Sequence, residues 1–200
     1  MRIVTARELE NWLSIGQVLE RDARGPKVVA LPDGQYLKIF HTRRPPLQSR
    51  LWPPARRFLR NTERLRARGV AAPRISEIFW LNRGKGLSAC LYTPLPGESF
   101  EQLLNKGDSR LEQELPALAS FIRHLHRKGI YFRSLHLGNI LLLAPGQFGL
   151  IDVLDMRCYP LPLSSGLIRR NFEHLRGYLK RRKLEHFPLA RLLELYRACA

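Results

Sequence analysis

The segment from Tyr131 to Asp152 constrains the fold of this chain more than any other stretch. It begins with a polar, turn-rich part, Arg133 to Asn139, which leads into an apolar run, Ile140 to Leu143. A turn with proline and glycine follows at 144–147, and a second apolar run covers 148–151. Two short apolar runs on either side of such a turn predict a β-hairpin. The fold must therefore contain a polar loop that continues directly into a hairpin.

Two oxygen-bearing side chains lie at the ends of this hairpin. Asn139 comes before its first strand, and Asp152 follows its second. Because the two ends of a hairpin lie side by side, the amide and the carboxylate can converge on one point. Oxygen ligands suit a hard divalent cation such as Mg²⁺. We therefore predict that Asn139 and Asp152 are metal ligands.

The same residues carry a resemblance to known kinases. Leu135 to Leu141 reads Leu-His-Leu-Gly-Asn-Ile-Leu, which is similar to the Leu-His-Pro-Gly-Asn-Ile-Leu of small-molecule kinases. The loop and the later Asp resemble the catalytic loop and metal-binding Asp of aminoglycoside phosphotransferases, RIO-type kinases and bacterial lipopolysaccharide core (Kdo/heptose) kinases. The resemblance implies an α+β, two-lobed protein-kinase-like fold, with a small antiparallel-sheet N-lobe and a minimal, mainly helical C-lobe. It also implies ATP and Mg²⁺ as cofactors.

The catalytic position departs from the family pattern. Those kinases carry an Asp five residues before the loop Asn, and here Ser134 holds that place. Serine offers no carboxylate base, and a general base contributes about 10²–10⁴-fold to rate. His136 and Asp155 are the groups that could substitute, although His136 also occurs in active kinases beside an intact Asp. We assign Ser134, His136 and Asp152 as the catalytic set and expect Ser134→Asp to raise phosphotransfer.

Residues 1–93 are predicted to form the small lobe. A short helix, Ala6 to Trp12, precedes a series of strand-like runs separated by polar turns. These runs are Ile15 to Leu19, Lys27 to Leu31, Gln35 to Phe40, Ile75 to Leu81 and Leu87 to Thr93. Their order predicts a five-stranded antiparallel sheet. A proline-broken linker and an Arg-rich helix, about residues 56–68, lie between the third and fourth strands.

Two residues of this lobe are candidate nucleotide-binding residues by resemblance. Lys38 matches the third-strand lysine that holds the α- and β-phosphates. Taken alone, it is better explained as a solvated strand lysine, and the downstream loop is what favours the nucleotide-binding role. Glu63 is the acid on the Arg-rich helix and a weak match to the Glu that pairs with that lysine in the kinase families. The alternative for Glu63 is a surface ion pair with Arg60, Arg64 or Arg66.

Residues 94–200 are predicted to form the C-lobe. Leucine and isoleucine recur at spacings of three and four from Leu111 to Leu125, which indicates an amphipathic helix. Ser109 and Glu112 form a candidate capping box for it. His124 and His126 lie two residues apart, so they do not share a helix face, and we expect both to be solvated. Two further helices, about 167–182 and 188–199, are predicted to end the chain.

The net charge of +17, from 34 Lys and Arg against 17 Asp and Glu, is the main compositional signal. It predicts a polyanionic partner, although part of the excess could reflect codon bias. The partner implied by the kinase resemblance is an anionic glycolipid or a phosphorylated small-molecule substrate, with possible peripheral contact to an anionic membrane. Nucleic acid is disfavoured because no recognition motif accompanies the charge.

Several absences in the sequence favour a cytoplasmic protein, located peripherally at the inner face of a bacterial cytoplasmic membrane. No apolar run reaches the length of a signal peptide or of a membrane-spanning helix. The three cysteines, Cys90, Cys158 and Cys199, have no disulfide or zinc spacing and are expected to be reduced.

Two functions of different classes follow. The first is ATP-dependent phosphotransfer to a sugar hydroxyl of an anionic glycolipid, slowed because Ser134 replaces the catalytic Asp. The second is a pseudokinase that binds nucleotide or a partner as a regulatory or scaffold protein. The two hypotheses differ in the chemistry available at position 134.

Overall fold

The computed structural model describes residues 1–41 and 45–199, and the chain divides into two compact units. The first unit comprises Met1–Glu63 and Pro73–Pro94, and the second comprises Arg64–Ala72 and Leu95–Ala200. The lobes predicted from the sequence, 1–93 and 94–200, differ from these units mainly in the segment Arg64–Ala72. Each unit has its own buried core and is described by itself.

The first unit is built on a five-stranded antiparallel sheet, as predicted. Its strands are β1 (Gln17–Asp22), β2 (Gly25–Ala30), β3 (Tyr36–Phe40), β4 (Arg74–Asn82) and β5 (Leu87–Thr93). They lie in the order β1-β2-β3-β5-β4. Because side chains alternate across a strand, Val29, Leu37 and Phe79 meet on one face of this sheet and are fully buried there.

Helix α1 (Ala6–Ile15) covers this apolar face. Thr5 caps its N-terminus by accepting a hydrogen bond from the backbone N–H of Glu8. The prediction that a strand starts at Ile15 is wrong, because the helix continues for three residues beyond Trp12 and ends at Ile15, with Gly16 as its C-cap. Trp12 packs against Phe79 with the ring centroids 5.2 Å apart, and this contact favours the longer helix.

The segment between β3 and β4 contains two helices, α2 (Pro46–Leu51) and α3 (Pro54–Arg66). The prediction of an irregular linker before the Arg-rich helix is therefore wrong at α2. Residues 42–44 of that linker lie outside the described residues. Pro46 fits the first turn of α2 because that turn needs no amide donor from it. In α3, Phe58 and Leu65 are buried. Gly69, at φ 75°, ends the segment in the left-handed conformation that glycine tolerates.

The second unit is mainly helical and carries two small sheets. Its helices are α4 (Phe100–Lys106), α5 (Arg110–Gln113), α6 (Leu115–Arg127), α7 (Ser165–Arg182) and α8 (Leu189–Ala198). Its strands are β6 (Glu98–Ser99), β7 (Ile130–Phe132), β8 (Ile140–Ala144), β9 (Gln147–Leu150) and β10 (Met156–Cys158). Strands β6, β8 and β9 form one sheet, and β7 pairs with β10 in the other.

Helix α6 forms the core of the second unit. Its predicted apolar stripe is confirmed from Leu115 to Leu125, and Leu115, Leu118 and Ile122 are fully buried. Leu111, predicted on the same helix, lies instead on the short helix α5. The predicted capping box at Ser109 is wrong: Ser109 is helical and its side chain makes no capping bond. The capping box of this unit instead joins Ser99 to Gln102 at the start of α4.

The expectation that His126 is solvated is wrong, although His124 is exposed as predicted. Asn171 donates from Nδ2 to the carbonyl of Phe132 at 2.7 Å, so its Oδ1 faces His126 Nε2 at 3.0 Å. His126 Nε2 therefore donates, and Nδ1 accepts from the hydroxyl of Tyr196 at 2.8 Å. Burial lowers the pKa of His126 to about 4, so the ring is neutral near pH 7. The side chain of His126 therefore links α6 to α7 and α8.

None of the helices in residues 1–41 and 45–199 is both long and apolar enough to cross a lipid bilayer.

Candidate functional site

The predicted hairpin is confirmed as β8 and β9. Ile140 pairs with Leu150, and the backbone N–H of Ile151 donates to the carbonyl of Asn139 at 3.0 Å. Asn139 therefore immediately precedes β8, while Asp152 follows the residue hydrogen-bonded to it. The hairpin brings these two residues to the same end, which is the arrangement that the metal assignment requires.

The backbone of Asp152 adopts an uncommon conformation. Its φ of 51° and ψ of 46° lie in the left-handed region, which Asp tolerates better than most other residues. Conformations of this kind cost on the order of 1–3 kcal/mol and persist only where surrounding structure imposes them. The carboxylate is half-buried. Asp152 lies between β9 and a 3₁₀ turn, Val153–Asp155, and the backbone at this junction limits the directions that its side chain can take.

Asn139 is nearly buried, with 7% of its surface exposed. Its Nδ2 donates to the carbonyl of Ser134 at 3.1 Å and lies 3.2 Å from Nε2 of His136. Because a carbonyl oxygen can only accept, the Nδ2 group must face Ser134. The amide oxygen of Asn139 is then the atom left to bind a cation.

His136 supports Asn139 from the other side. Its ring stacks on Tyr178 with centroids 4.1 Å apart, and the Tyr178 hydroxyl donates to Glu101 at 2.5 Å. Burial lowers the pKa of His136, whereas Glu101, Asp152 and Asp155 raise it and Arg181 lowers it. The neutral ring can accept at Nε2 from Asn139. His136 is thus placed to orient the amide.

Ser134 lies in a direct hydrogen bond with Asp155. Its Oγ donates to Asp155 Oδ1 at 2.7 Å. The ladder between β7 and β10 pairs Phe132 with Met156, so residues 134 and 155 follow and precede it at the same end. Ser134 is partly buried and Asp155 is exposed. A carboxylate therefore lies one hydrogen bond from the position where the kinase families carry theirs.

Lys38 occupies the centre of β3 in the first unit. It pairs with Val28 on one side and Cys90 on the other, and it is 8% exposed. Its Nζ lies 5.5 Å from the ring centroid of Phe58. Burial raises the pKa of the neighbouring Cys90 thiol to about 12, so the thiol stays protonated. The alternative of a solvated strand lysine does not fit a side chain this buried.

Glu63 lies on α3 and is exposed, in contrast to Lys38. No ion pair joins it to a cation of the described residues, whether Lys38 or the neighbouring arginines. Its assignment as a cofactor-binding residue stays a prediction.

Sequence reasoning missed Asn61, a buried polar residue one turn after Phe58 on α3. Its signal was a polar residue in phase with the apolar positions of that helix.

The donors at the end of the hairpin fit Mg²⁺ better than a transition metal. Within the described residues, no group of three or more His, Cys, Asp or Glu side chains could hold a metal ion. Asn139 and Asp152 supply two oxygen ligands. Mg²⁺ is commonly held by one or two carboxylates together with water and substrate phosphates. The site is therefore suited to a cation that arrives with a phosphorylated ligand.

Comparisons with known proteins bear on the family and on the fold. The sequence profile of the phosphotransferase enzyme family, named APH, matches residues 19–129. No curated protein matches the sequence. Among solved structures, a 2.2 Å crystal structure of WbdD is similar, with a TM-score of 0.52, 17% identity and 86% of this chain covered. A second structure, of the bifunctional kinase-methyltransferase WbdD, has a TM-score of 0.52, 16% identity and the same coverage.

The structural likeness confirms the predicted kinase-like fold, and at this level of identity it shows the fold alone. The chain matches 42% of the length of each WbdD structure. The family profile ends at Gly129. The loop that holds Ser134 and Asn139 and the strand end at Asp152 lie beyond the matched residues, so their roles depend on the geometry described above.

Proposed function

The chain belongs to the phosphotransferase enzyme family, and from this premise we propose that it transfers the γ-phosphate of ATP to a sugar hydroxyl of an anionic glycolipid. The observation that carries the proposal is the convergence of Asn139 and Asp152 at one end of the β8–β9 hairpin. Phosphoryl transfer depends mainly on positioning and on neutralisation of phosphate charge. The two oxygen ligands at a fixed turn would provide the positioning, and the Mg²⁺ that they would hold would neutralise the phosphate charge.

The described residues divide the work as follows. Asp152 and the amide oxygen of Asn139 would hold Mg²⁺, which would neutralise phosphate charge. His136 keeps the Asn139 amide in the orientation that exposes its oxygen. Lys38 would hold the α- and β-phosphates, as its counterpart does in the kinase families. Ser134 faces the acceptor hydroxyl in this assignment.

The first prediction tests nucleotide binding. ATP with Mg²⁺ should raise the unfolding temperature of the protein, because a ligand that binds the native state stabilises it by about 2.7 kcal/mol at 100 times its Kd. ATP with EDTA should give a much smaller shift. The measurement is a thermal unfolding titration, with magnesium sulfate alone as control. Equal shifts with and without Mg²⁺ contradict the metal assignment, and no shift with either contradicts the proposal.

A second candidate function is favoured by one specific observation, the serine at position 134. A pseudokinase that binds ATP without transferring phosphate needs Lys38, Asn139 and Asp152 but no base. Such a protein would act through its nucleotide-bound conformation, as a regulatory or scaffold protein. It gives the same thermal shift as an enzyme, so the two functions separate only in an assay of phosphate transfer.

We also propose that the protein binds an anionic membrane surface, where a glycolipid acceptor would be found. The exposed basic residues of α7 form a dense cluster. They are Arg169, Arg170, Arg176, Lys180, Arg181 and Arg182. A second exposed surface lies on the first unit, where Leu47, Leu51 and Trp52 are each about two-thirds exposed next to Arg50 and Arg56. Apolar side chains beside basic ones are typical of helices that lie in a membrane interface.

The second prediction concerns this surface. Vesicles with an anionic lipid should bind the protein at low salt and much less at physiological salt, because the Debye length falls to about 8 Å. Trp52→Ala combined with Leu51→Ser should weaken binding, since both side chains are 65–66% exposed. Leu161→Ser, at a residue 73% exposed elsewhere, is the matched control. The measurement is vesicle flotation. Binding that does not depend on salt concentration or on lipid charge contradicts the proposal.

A further inference from the structure

We propose that Asp155 supplies the carboxylate that the loop lacks at position 134, and that it receives the proton of the acceptor hydroxyl during transfer from a nucleoside triphosphate. Ser134 holds this carboxylate in place. The inference rests on the proposed phosphotransfer and deepens it, because it assigns the base to a residue three positions after the metal-binding Asp152. In this proposal the base lies at position 155 in place of position 134, so it is displaced and not lost.

The hydrogen bond between Ser134 and Asp155 carries the inference. The Ser134 hydroxyl donates to Oδ1 at 2.7 Å, a normal length for a bond to a carboxylate. A carboxylate has about four acceptor sites on its two oxygens, so Oδ2 stays available. Asp155 is exposed, and Ser134 is the hydrogen-bond partner that the structure shows for its side chain. An acceptor hydroxyl can therefore reach Oδ2 from solvent.

Two sets of backbone contacts fix the position of this pair. The β7–β10 ladder pairs Phe132 with Met156, directly before the loop and directly after Asp155. The carbonyl of Phe132 also accepts from Asn171 on α7 at 2.7 Å. A surface carboxylate on a free loop would lack such restraints. Here the carboxylate is held by the elements that also hold the catalytic-type loop, which is what a base of defined geometry needs.

Asp155 shares its surroundings with charged groups of both signs. Burial lowers the pKa of His174, Arg133 and Arg170 lower it further, and Asp155 and Glu173 raise it. These groups therefore share one electrostatic neighbourhood, in which Arg133 and Arg170 are cations. Positive side chains beside the base would attract an acceptor that carries a carboxylate or phosphate near its reactive hydroxyl.

The proposed step balances. The acceptor oxygen forms a bond to the γ-phosphorus of ATP as the bond to the bridging β,γ-oxygen breaks. ADP leaves with that electron pair. The proton of the acceptor hydroxyl passes to Oδ2 of Asp155 and is then released to water, so the carboxylate is regenerated. Ser134 keeps its own proton on the Oδ1 side throughout.

The test uses water as the acceptor, since no glycolipid needs to be identified for it. The assay measures phosphate released from [γ-³²P]ATP with Mg²⁺ by the full chain. Asp155→Asn keeps the shape and removes the charge, and it should lower the rate by about 10²–10⁴-fold, the usual contribution of a general base. ATP affinity, from thermal unfolding titration, should stay unchanged because the side chain is assigned to the acceptor. Asp33→Asn, at an exposed Asp that accepts from a backbone amide, is the matched control.

A second variant separates chemistry from a merely structural role. Asp155→Ala leaves space for a small carboxylate, so added sodium formate should raise its rate while leaving the parent and Asp155→Asn unaffected. Formate cannot repair a packing defect in this selective way. Rescue of Asp155→Ala alone therefore supports the inference.

The failing outcomes are distinguishable. If the parent binds Mg²⁺ and ATP but releases no phosphate above the protein-free blank, the inference is overturned while nucleotide binding stands, which leaves the pseudokinase. If Asp155→Asn releases phosphate as fast as the parent, Asp155 is not the base. If the parent binds no nucleotide at all, the proposed function fails and this inference fails with it.

Discussion

Replacing Asp152 with Asn is expected to remove the Mg²⁺-dependent part of ATP binding and, with it, phosphate release. The reason is local charge: Asp152 is the carboxylate among the two proposed metal ligands. Asn is the informative substitution because it also tolerates the left-handed backbone seen at φ 51°. The fold of the turn should therefore survive while the charge is lost. At saturating nucleotide the lost stabilisation is about 2.7 kcal/mol for ATP at 100 times its Kd.

The measurement compares thermal unfolding of the parent and Asp152→Asn, each with ATP and either Mg²⁺ or EDTA. The unfolding temperature of each protein without ligand is the reference from which its own ligand shift is measured. Asp152→Ala serves as a second variant, and it should also unfold earlier without ligand because Ala disfavours positive φ. Asp108→Asn, at a partly buried Asp on the turn before α5, is the matched control. If Asp152→Asn keeps the full Mg²⁺-dependent shift, the metal site lies elsewhere.

Much of the fold was predictable because local pattern and tertiary structure agree. Alternating apolar residues and polar turns define the strands of the first unit, and β5 has the predicted bounds, Leu87–Thr93. The leucine spacing of α6 indicated its buried face in the same way. The end of α1 was not predictable, because Trp12 gains its partner Phe79 only when the sheet has formed.

The two small elements that place Ser134 could not be read from the sequence. Strands β7 and β10 have three residues each, too short for any periodicity to be apparent. They exist because Met156 pairs with Phe132, 24 positions earlier in the chain. Asn139 and Asp152 were predictable because the hairpin between them is local. The contact between Ser134 and Asp155 was not, because it depends on that short tertiary ladder.

The same reasoning explains the error at His126. The spacing in the sequence predicted that His124 and His126 lie on different faces of the helix, and this prediction is correct. The partners that bury it, Asn171 and Tyr196, come from α7 and α8. A polar residue with two distant partners gives no local signal of burial. The Phe132 carbonyl, bonded to Asn171, connects this buried network to the start of the loop.

The contact also changes what to expect of Ser134→Asp. A second carboxylate at position 134 would face Asp155, because the serine oxygen lies 2.7 Å from Asp155 Oδ1. Two carboxylates this close cannot both be ionised near neutral pH without cost, and one pKa of such a pair is raised. The single variant should therefore unfold at a lower temperature than the parent. The gain in phosphotransfer expected from the sequence alone should be small.

The exchange Ser134→Asp with Asp155→Ser should instead give an active protein. It places the carboxylate where the kinase families carry it, and the new serine at 155 can donate the same hydrogen bond in the opposite direction. Asp155→Ser alone is the matched control, since it has a hydroxyl at both positions and no base. Phosphate release from [γ-³²P]ATP by the double variant should exceed that of this control by about 10²–10⁴-fold. ATP affinity should be the same in both. If the double variant binds ATP and Mg²⁺ yet is as slow as Asp155→Ser, the acceptor hydroxyl does not meet either position, and a base at this end of the β7–β10 ladder is excluded.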